Sequence, residues 1–453
     1  MNSALCIYQF LMGFNHDEDI LIRAAKTRSR PLWKEIDLKP LIDKIRHAKV
    51  VMLGEATHGT HDFYEWRRLI SEWLIVKHGF RFIAVEGDWP PCWELNRYIH
   101  SKNGGSARSV LQHFNRWPTW MWANTEIIRL AEWMKSHNRV VSDAKKIGFL
   151  GLDVYSLFES IDAVLSQLEE INPFLARRAR ILYECFDPFK RDEKAYARSL
   201  LNFPEGCRGE VIKNLQELLA LRLDESKKES HNILLNAQQN ARIIANAENY
   251  YRTMIYGDED SWNIRDRHML ETLNWLLSHY GSDSKGIVWA HNTHIGDYRA
   301  TDMASQGQIN IGGLARQEWG EDQVALIGFG TYQGEVIASH AWNGPIEKLP
   351  VPPGKPGSYE AILHKVAQLL RNRAFFMDLR GKGTRQGPLS QMRGHRAIGV
   401  VYQPHYEGLG NYVPTSLAHR YDAFIFIDET SPITPLVQGF DREEIPETWP
   451  QGL

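Results

Sequence analysis

The sequence has few of the features that mark several large classes of protein. Its 453 residues include only four cysteines and no CxxC pair, which is too few for a disulfide framework. Basic and acidic residues nearly balance, 53 against 55, so the charge excess of a nucleic-acid-binding protein is absent. We therefore expect buried, reduced thiols and no nucleic-acid partner.

Long apolar runs are also missing. No segment approaches the roughly 20 residues that span a bilayer, and the N-terminus has no Lys or Arg before its apolar stretch. These absences predict a cytoplasmic protein with no signal peptide and no membrane partner. The 43% of hydrophobic residues is nevertheless enough to bury a sizeable core.

Four short apolar runs are present, and each ends in polar residues. They cover 49–54, 80–85, 147–152 and 286–290, and their length and branched or aromatic content predict strands. A helical pattern at 60–79 joins the first two runs, which predicts a parallel βαβ unit. Because parallel sheets bind ligands beyond the carboxyl ends of their strands, we expect the polar residues to surround one water-accessible hollow.

Two of the polar clusters contain histidines. Glu55 and His58 follow the first run with E-x-x-H spacing, in which a carboxylate orients an imidazole as a general base. The alternative is a helix-capping glutamate and a surface histidine. His291 and His294 follow the fourth run, where the alternative is that only His291 points into the cleft and His294 caps the next turn.

Charged residues within apolar stretches are further candidates for this site. Arg67 lies on the apolar stripe of the first helix. Because a buried guanidinium is costly without a partner, we expect a carboxylate nearby, either Glu55 or Glu86. The alternative is that the side chain of Arg67 extends to solvent. Glu86 ends the second run and is a candidate base, arginine partner or metal ligand. Arg265 and Asp266 begin another amphipathic helix and are able to reach the same cleft, and Asp153, which ends the third run, belongs to the same set of candidates.

Two further residues are candidate substrate contacts. Asp88 lies two positions after Glu86 at the end of the second run. Trp120 belongs to the tryptophan-rich stretch RWPTWMW, which either lines an apolar cleft or fills the core.

The rest of the chain suggests a division into segments. Helical spacing dominates from about 156 to 279, and later runs at 323–330, 335–341 and 397–402 predict further strands. The predicted segments are an N-terminal extension (1–30), a first α/β half (31–155), a helical insertion forming a cleft wall (156–280) and a second α/β half with a C-terminal tail (281–453).

The stretches LGEATHGTHDFYEWRRLI, FIAVEGDWP, NIRDRHM and WAHNTHIG resemble the erythromycin esterase family, with similarity over roughly residues 30–435. The resemblance implies an α/β fold with a mixed, largely parallel sheet core in two similar halves and a large helical insertion. It also implies that water activated by a histidine hydrolyses an ester or lactone, without a covalent acyl-enzyme. The family base corresponds to His58, with Glu55 beside it, and a macrolide is one candidate substrate.

These observations define one main hypothesis and two alternatives. The main hypothesis is a hydrolase that requires no cofactor and acts on a small-molecule ester or lactone. The alternatives are a hydrolase that binds a divalent metal through Glu55, His58, Glu86 and His291, and a non-catalytic small-molecule-binding protein. The predicted catalytic residues are His58, Glu55, Arg67, Glu86 and His291, and the predicted substrate-binding residues are Arg265, His294, Asp88 and Trp120.

Overall fold

The structure, a computed structural model, describes residues 17–101, 105–221, 228–255 and 258–436. Its strands are β1 Ser29–Pro31, β2 Val50–Leu53, β3 Phe80–Val85, β4 Gly148–Gly151, β5 Lys285–Trp289, β6 Val324–Ala338, β7 Glu347–Val351, β8 Ala374–Asp378, β9 Met392–Arg396, β10 Tyr412–Ser416 and β11 Ala423–Thr430. Nine of them form one sheet in the order β1-β8-β11-β6-β2-β5-β3-β4, with β7 paired to β6, while β9 and β10 form a separate two-stranded sheet.

Helices pack on both faces of the large sheet, and short 3-10 turns connect several of them. The helices are α1 (17–28), α2 Lys39–Ile45, α3 His61–His78, α4 Trp89–His100, α5 Ala107–Leu111, α6 Thr125–Val140, α7 Leu157–Ile171, α8 Pro173–Tyr183, α9 Glu193–Ser199, α10 Arg208–Ala220, α11 Lys228–Met254, α12 Asp258–His279, α13 Asn292–Ile295, α14 Ile311–Trp319, α15 Tyr359–Leu370, α16 Lys382–Arg385, α17 Glu407–Gly410 and α18 Leu417–Arg420.

The central strands are buried on both faces of the sheet. In β2, Val51 and Leu53 pack into the core on one face, and Val50 and Met52 pack into the core on the other. This alternation follows from the two-residue period of a strand. Strands covered on both faces need apolar side chains at every position, which explains why the sequence contains uninterrupted apolar runs.

The register of the parallel strands brings the polar clusters to one edge of the sheet. Leu53 pairs with Trp289, Trp289 pairs with Val85, and Val85 pairs with Gly151. The residues that follow these four positions therefore emerge side by side. The prediction of an α/β fold with a mixed, largely parallel sheet is confirmed.

The two halves expected from the sequence share this one sheet. Strand β2 precedes residue 155, yet it lies between β5 and β6, which follow residue 280. The described residues between them contain the helices α7 to α12, and part of this segment forms a core of its own that includes Val164, Leu168 and Ile244. The proposed segment boundaries remain predictions.

Of the later runs that were predicted as strands, two join into one strand and a third does not form a strand. The runs 323–330 and 335–341 are not separate strands, because β6 is continuous from Val324 to Ala338. The run 397–402 forms only isolated bridges, in which Ile398 pairs with Thr57 and Val401 pairs with Ser339. Its backbone is instead used to hold the loop after β2.

The expectation of reduced thiols is wrong for one pair of cysteines. Cys185 and Cys207 form a disulfide, with Cα atoms 5.7 Å apart, because the end of α8 folds back against the start of α10. Cys92 is buried, and Cys6 lies outside the described residues. In the described part of the chain, no helix has the length and apolar character needed to cross a membrane.

Candidate active site

The loop after β2 holds a carboxylate between an imidazole and a guanidinium. Glu55 Oε1 lies 2.9 Å from His58 Nδ1, and Glu55 Oε2 lies 2.7 Å from Arg67 Nη2. Arg67 reaches the loop from α3, and its guanidinium stacks on the ring of Trp289 at 4.7 Å. All three polar side chains are buried. The predicted carboxylate partner of Arg67 is therefore Glu55 and not Glu86.

The neighbouring strand β5 places His291 beside His58. The centroids of the two rings are 4.9 Å apart, and the ring planes are inclined by 38°. Because Nδ1 of His58 faces the carboxylate of Glu55, the proton of the neutral ring lies on Nδ1 and its Nε2 carries a lone pair. The E-x-x-H spacing thus orients the imidazole as a base requires.

His291 has the opposite tautomer. Its Nδ1 accepts the backbone N–H of Thr293 at 3.3 Å, so the proton of the neutral ring lies on Nε2. Burial, together with the nearby His58, lowers the pKa of His291 well below its ordinary value and keeps the ring neutral. Within the described residues, neither Nε2 atom has a hydrogen-bond partner. The pair therefore presents a basic nitrogen and an N–H donor side by side.

The close contact between the loops after β2 and β5 depends on Gly54. A Cβ atom at this position would lie 2.1 Å from Asn292 Oδ1, which leaves no room for a side chain. Asn292 is fixed by Phe329, since its side-chain amide donates to the Phe329 carbonyl at 2.7 Å, and its own N–H donates to the Glu55 carbonyl at 2.9 Å. These bonds set the spacing of the two imidazoles.

Glu86, at the end of β3, belongs to a second buried ion-pair network. Its Oε1 accepts from Arg265 Nη2 at 2.9 Å, and its Oε2 accepts the backbone N–H of His291 at 2.7 Å. Arg265, on α12, also donates to both carboxylate oxygens of Asp153 at 2.9 and 2.6 Å. Burial acts to raise the pKa of Glu86, but His294 and Arg265 hold it well below its ordinary value. Glu86 therefore stays ionised and fixes the backbone of His291.

His294 belongs to this second network rather than to the imidazole pair. Its Nδ1 lies 2.9 Å from Asp266 Oδ2, and its Nε2 lies 3.3 Å from Glu86 Oε1 and 3.0 Å from Arg265 Nη1. Burial lowers the pKa of His294, but the Asp266 and Glu86 carboxylates outweigh burial and raise it to about 9. The Arg265 contact alone suits a neutral ring, but each ring nitrogen also has a carboxylate acceptor, Asp266 at Nδ1 and Glu86 at Nε2, so we assign a charged His294.

Asp88 and Trp120 lie outside both networks. Asp88 Oδ2 is 3.1 Å from Arg116 Nε, and Arg116 also contacts Glu159 and Glu193, so three carboxylates share one guanidinium. Burial raises the pKa of Asp88 to about 7 in spite of Arg116. Trp120 is fully buried, and its indole N–H has no partner among the described residues. The substrate-binding role of both residues stays a prediction.

The predicted hollow is closed to solvent in this structure. The side chains of His58 and His291 are both 0% exposed, so the expectation of a water-accessible site is wrong for this conformation. The segment 431–436, which we call the strap, forms hydrogen bonds with both the loop that carries His58 and the start of α6. The Ile433 N–H donates to the Gly59 carbonyl at 3.1 Å, and the Thr125 N–H donates to the Thr434 carbonyl at 3.0 Å. The strap thus ties the His58 loop to the start of α6.

One buried histidine of this region was not predicted. His395 Nδ1 lies 2.7 Å from Glu360 Oε1, and His395 Nε2 accepts from Asn292 Nδ2 at 3.3 Å. Burial lowers the pKa of His395 although Glu360 acts to raise it, which favours the neutral ring that this geometry needs. His395 follows no apolar run in the sequence, so no local signal connects it with Asn292.

The alternative metal ligands do not converge on a common point. Glu55 is engaged by His58 and Arg67, and Glu86 is engaged by Arg265 and by the backbone of His291. Throughout the described ranges, no group of three or more His, Cys, Asp or Glu side chains is arranged to hold a metal ion. This donor set does not fit the metal-dependent alternative.

Comparison with known proteins identifies the family of the chain. The erythromycin esterase family model matches residues 75–430. Erythromycin esterase type II of Escherichia coli is 23% identical over 327 residues, which cover 67% of this chain and 73% of that protein.

Solved structures share the fold. The crystal structure of a succinoglycan biosynthesis protein has a TM-score of 0.74 at 23% identity and covers 92% of this chain and 98% of that chain. A mutant of the erythromycin esterase EreC in its open conformation has a TM-score of 0.62 at 14% identity, covering 89% of this chain and 98% of that chain. Since the family model spans most of its length, the chain belongs to the erythromycin esterase family.

Proposed function

We propose that this hydrolase cleaves a carboxylic ester or lactone with water activated by His58. The observation that carries the proposal is the pair of buried Nε2 atoms, one basic and one bearing a proton, on rings 4.9 Å apart. A base and an N–H donor at this separation suit the two demands of ester hydrolysis, which are proton removal from water and stabilisation of an oxyanion. Family membership supports the hydrolase class.

The reaction follows from these two tautomers. His58 Nε2 takes a proton from water, and the hydroxide adds to the carbonyl carbon to form a tetrahedral oxyanion. The Nε2–H of His291 donates to that oxyanion. The intermediate then breaks its bond to the alkoxide, which takes the proton from His58, so that an acid and an alcohol leave. In a lactone the two products remain one molecule.

The charged neighbours position these two rings. Glu55 holds the Nδ1–H of His58 and stabilises the imidazolium that forms during the reaction. Arg67 pairs with Glu55, so we assign it a positioning role rather than contact with the oxyanion. Glu86 positions His291 through its backbone N–H, and Arg265 holds Glu86 in place.

Substrate entry requires a change from the conformation described above. Both imidazoles are buried, so a covering element must move before an ester reaches His58. The structure of the EreC mutant is described as an open conformation of that protein. We infer that this chain also opens, with the strap as the element that ties the His58 loop to α6.

One experiment tests the proposal against both alternatives. Purified protein is incubated with macrolides and with a panel of simple esters and lactones, with and without a chelator, and the products are identified by mass spectrometry. We expect addition of one water to at least one substrate, unchanged by the chelator and absent in His58→Gln. Activity that the chelator removes and zinc or manganese restores would support the metal-dependent alternative. Thermal stabilisation by a compound without any product would support a binding protein.

A further inference from the structure

A groove on another part of the molecule is lined by partly exposed aromatic rings. It has a volume of about 980 Å³ and lies between α4, α7, α11 and α12. Arg81, at the start of β3, and Tyr280, which precedes β5, line the groove, so part of it lies near the amino ends of these strands. The candidate active site lies beyond the carboxyl ends, and the groove is therefore separate from it.

Stacking contacts with other rings fix the aromatic side chains that line the groove. Trp89 is fully buried, and its ring stacks on Trp93 with centroids 5.9 Å apart and meets Trp275 edge-on at 5.7 Å. Trp275 in turn stacks on His279 at 5.1 Å. Trp93 and Trp275 both line the groove. These ring contacts hold both side chains in place, which lowers the entropy cost of binding a ligand against them.

The positive and negative side chains that line this groove are equal in number, which favours an uncharged ligand. Arg97 pairs with Glu94 at 3.2 Å, and Lys146 pairs with Asp143 at 2.8 Å. The other charged members of the described lining, Arg81 and Glu170, have opposite signs. The wall therefore offers no excess charge that would select an anion or a cation.

Amide side chains are frequent among the residues that line the groove. Gln167 lines it, and in the described part of the chain its buried Oε1 has no hydrogen-bond partner. Asn96, Asn232 and Asn236 line the groove as well. Amide groups accept and donate hydrogen bonds to hydroxyls, whereas aromatic faces pack against C–H groups. A sugar ring carries both surfaces, with hydroxyls at its edge and C–H groups on its faces.

The groove adjoins a second cavity. A second cavity of about 290 Å³ shares Trp93, Gln167 and Asn236 with it and continues to Asn115 and Glu159. We propose that this groove binds a neutral oligosaccharide, with Trp93 and Trp275 as stacking platforms. The inference goes beyond the proposed hydrolysis, because binding at the groove does not require His58.

Direct binding measurements on the full chain test the proposal. Maltohexaose, cellohexaose, laminarihexaose and chitohexaose are titrated separately by calorimetry and by tryptophan fluorescence, with a polygalacturonate hexamer as a charged comparison. We expect saturable binding of at least one neutral hexasaccharide. Trp93→Ala and Trp275→Ala should each weaken it about tenfold, because each removes a large aromatic contact surface. Gln167→Leu should weaken it without disturbing the aromatic wall.

Controls make each outcome decisive. Trp33 is 70% exposed and lies outside the groove, so Trp33→Ala should bind like the unmodified protein. His58→Gln should also bind normally, which separates this inference from the proposed hydrolysis. Circular dichroism confirms that each variant is folded, and Gln167→Leu still tests the groove if a tryptophan variant unfolds. Absence of binding, equal affinity in the groove variants, or binding of the charged hexamer alone would each overturn the proposal.

Discussion

Replacing His58 by glutamine removes the proposed base and leaves an amide that can still donate to Glu55. The side chain of His58 is completely buried, and among the described residues its Nε2 makes no hydrogen bond, so removing this atom breaks no hydrogen bond. General base catalysis contributes roughly 10²- to 10⁴-fold. At 1.36 kcal/mol per tenfold, this is about 2.7–5.4 kcal/mol of transition-state stabilisation. We expect kcat to fall by that factor while the protein stays folded.

The assay measures initial rates on an ester or lactone that the unmodified protein hydrolyses, with thermal unfolding of each variant in parallel. His364→Gln is the matched control, since His364 also pairs with a carboxylate, at 2.7 Å from Asp428 Oδ1, outside both site networks. It should keep the rate of the unmodified protein. A His58→Gln rate within about threefold of normal, which is less than 1 kcal/mol, would refute the base assignment. So would an equal loss in the control.

The buried ion pairs and the strap predict the effects of three other changes. Arg265→Met should lower the free energy of unfolding in urea by roughly 3–5 kcal/mol, because the buried Asp153 loses its guanidinium partner and Glu86 keeps only His294 and the His291 N–H. The partly exposed Arg68→Met should cost no more than about 1 kcal/mol, and equal losses would contradict the reasoning. The pKa of His294 is raised from 6.5 to about 9, so its contribution to stability is complete below pH 6.5 and is lost as the pH rises through 9. Unfolding measured across this range should show a decline that His294→Asn reduces, and identical slopes would count against a charged ring. Asp62 accepts hydrogen bonds from the N–H and hydroxyl of Ser431, so Asp62→Ala should accelerate amide exchange in the strap, and unchanged protection would show that this contact does not hold it.

Several site residues were predictable from sequence because they follow buried parallel strands. Glu55 and His291 each lie two positions beyond paired strand ends, and Glu86 lies one position beyond. Apolar runs mark such strands, and parallel pairing aligns their carboxyl ends, so residues far apart in the chain were expected to meet. The same argument could not choose between Glu55 and Glu86 as the partner of Arg67, since both emerge at the same edge.

Other features depend on contacts for which the sequence carries no local sign. His395 reaches Asn292 from a separate two-stranded sheet, and Arg116 meets Asp88 from a loop, so neither lies beyond a recognisable buried strand. The pairing of Cys185 with Cys207 depends on how α8 and α10 pack, which spacing does not reveal.

By itself, the sequence determined the fold class and indicated the edge of the sheet at which Glu55, His58, Glu86 and His291 meet, while their catalytic roles stay predictions. These follow from strand periodicity and parallel pairing, which are local rules applied to short apolar runs. Only the tertiary structure decided the tautomers of the two imidazoles, the separation of the two ion-pair networks, and the closure of the site. These depend on the direction of individual side chains and on segments hundreds of residues apart, such as the strap against the His58 loop.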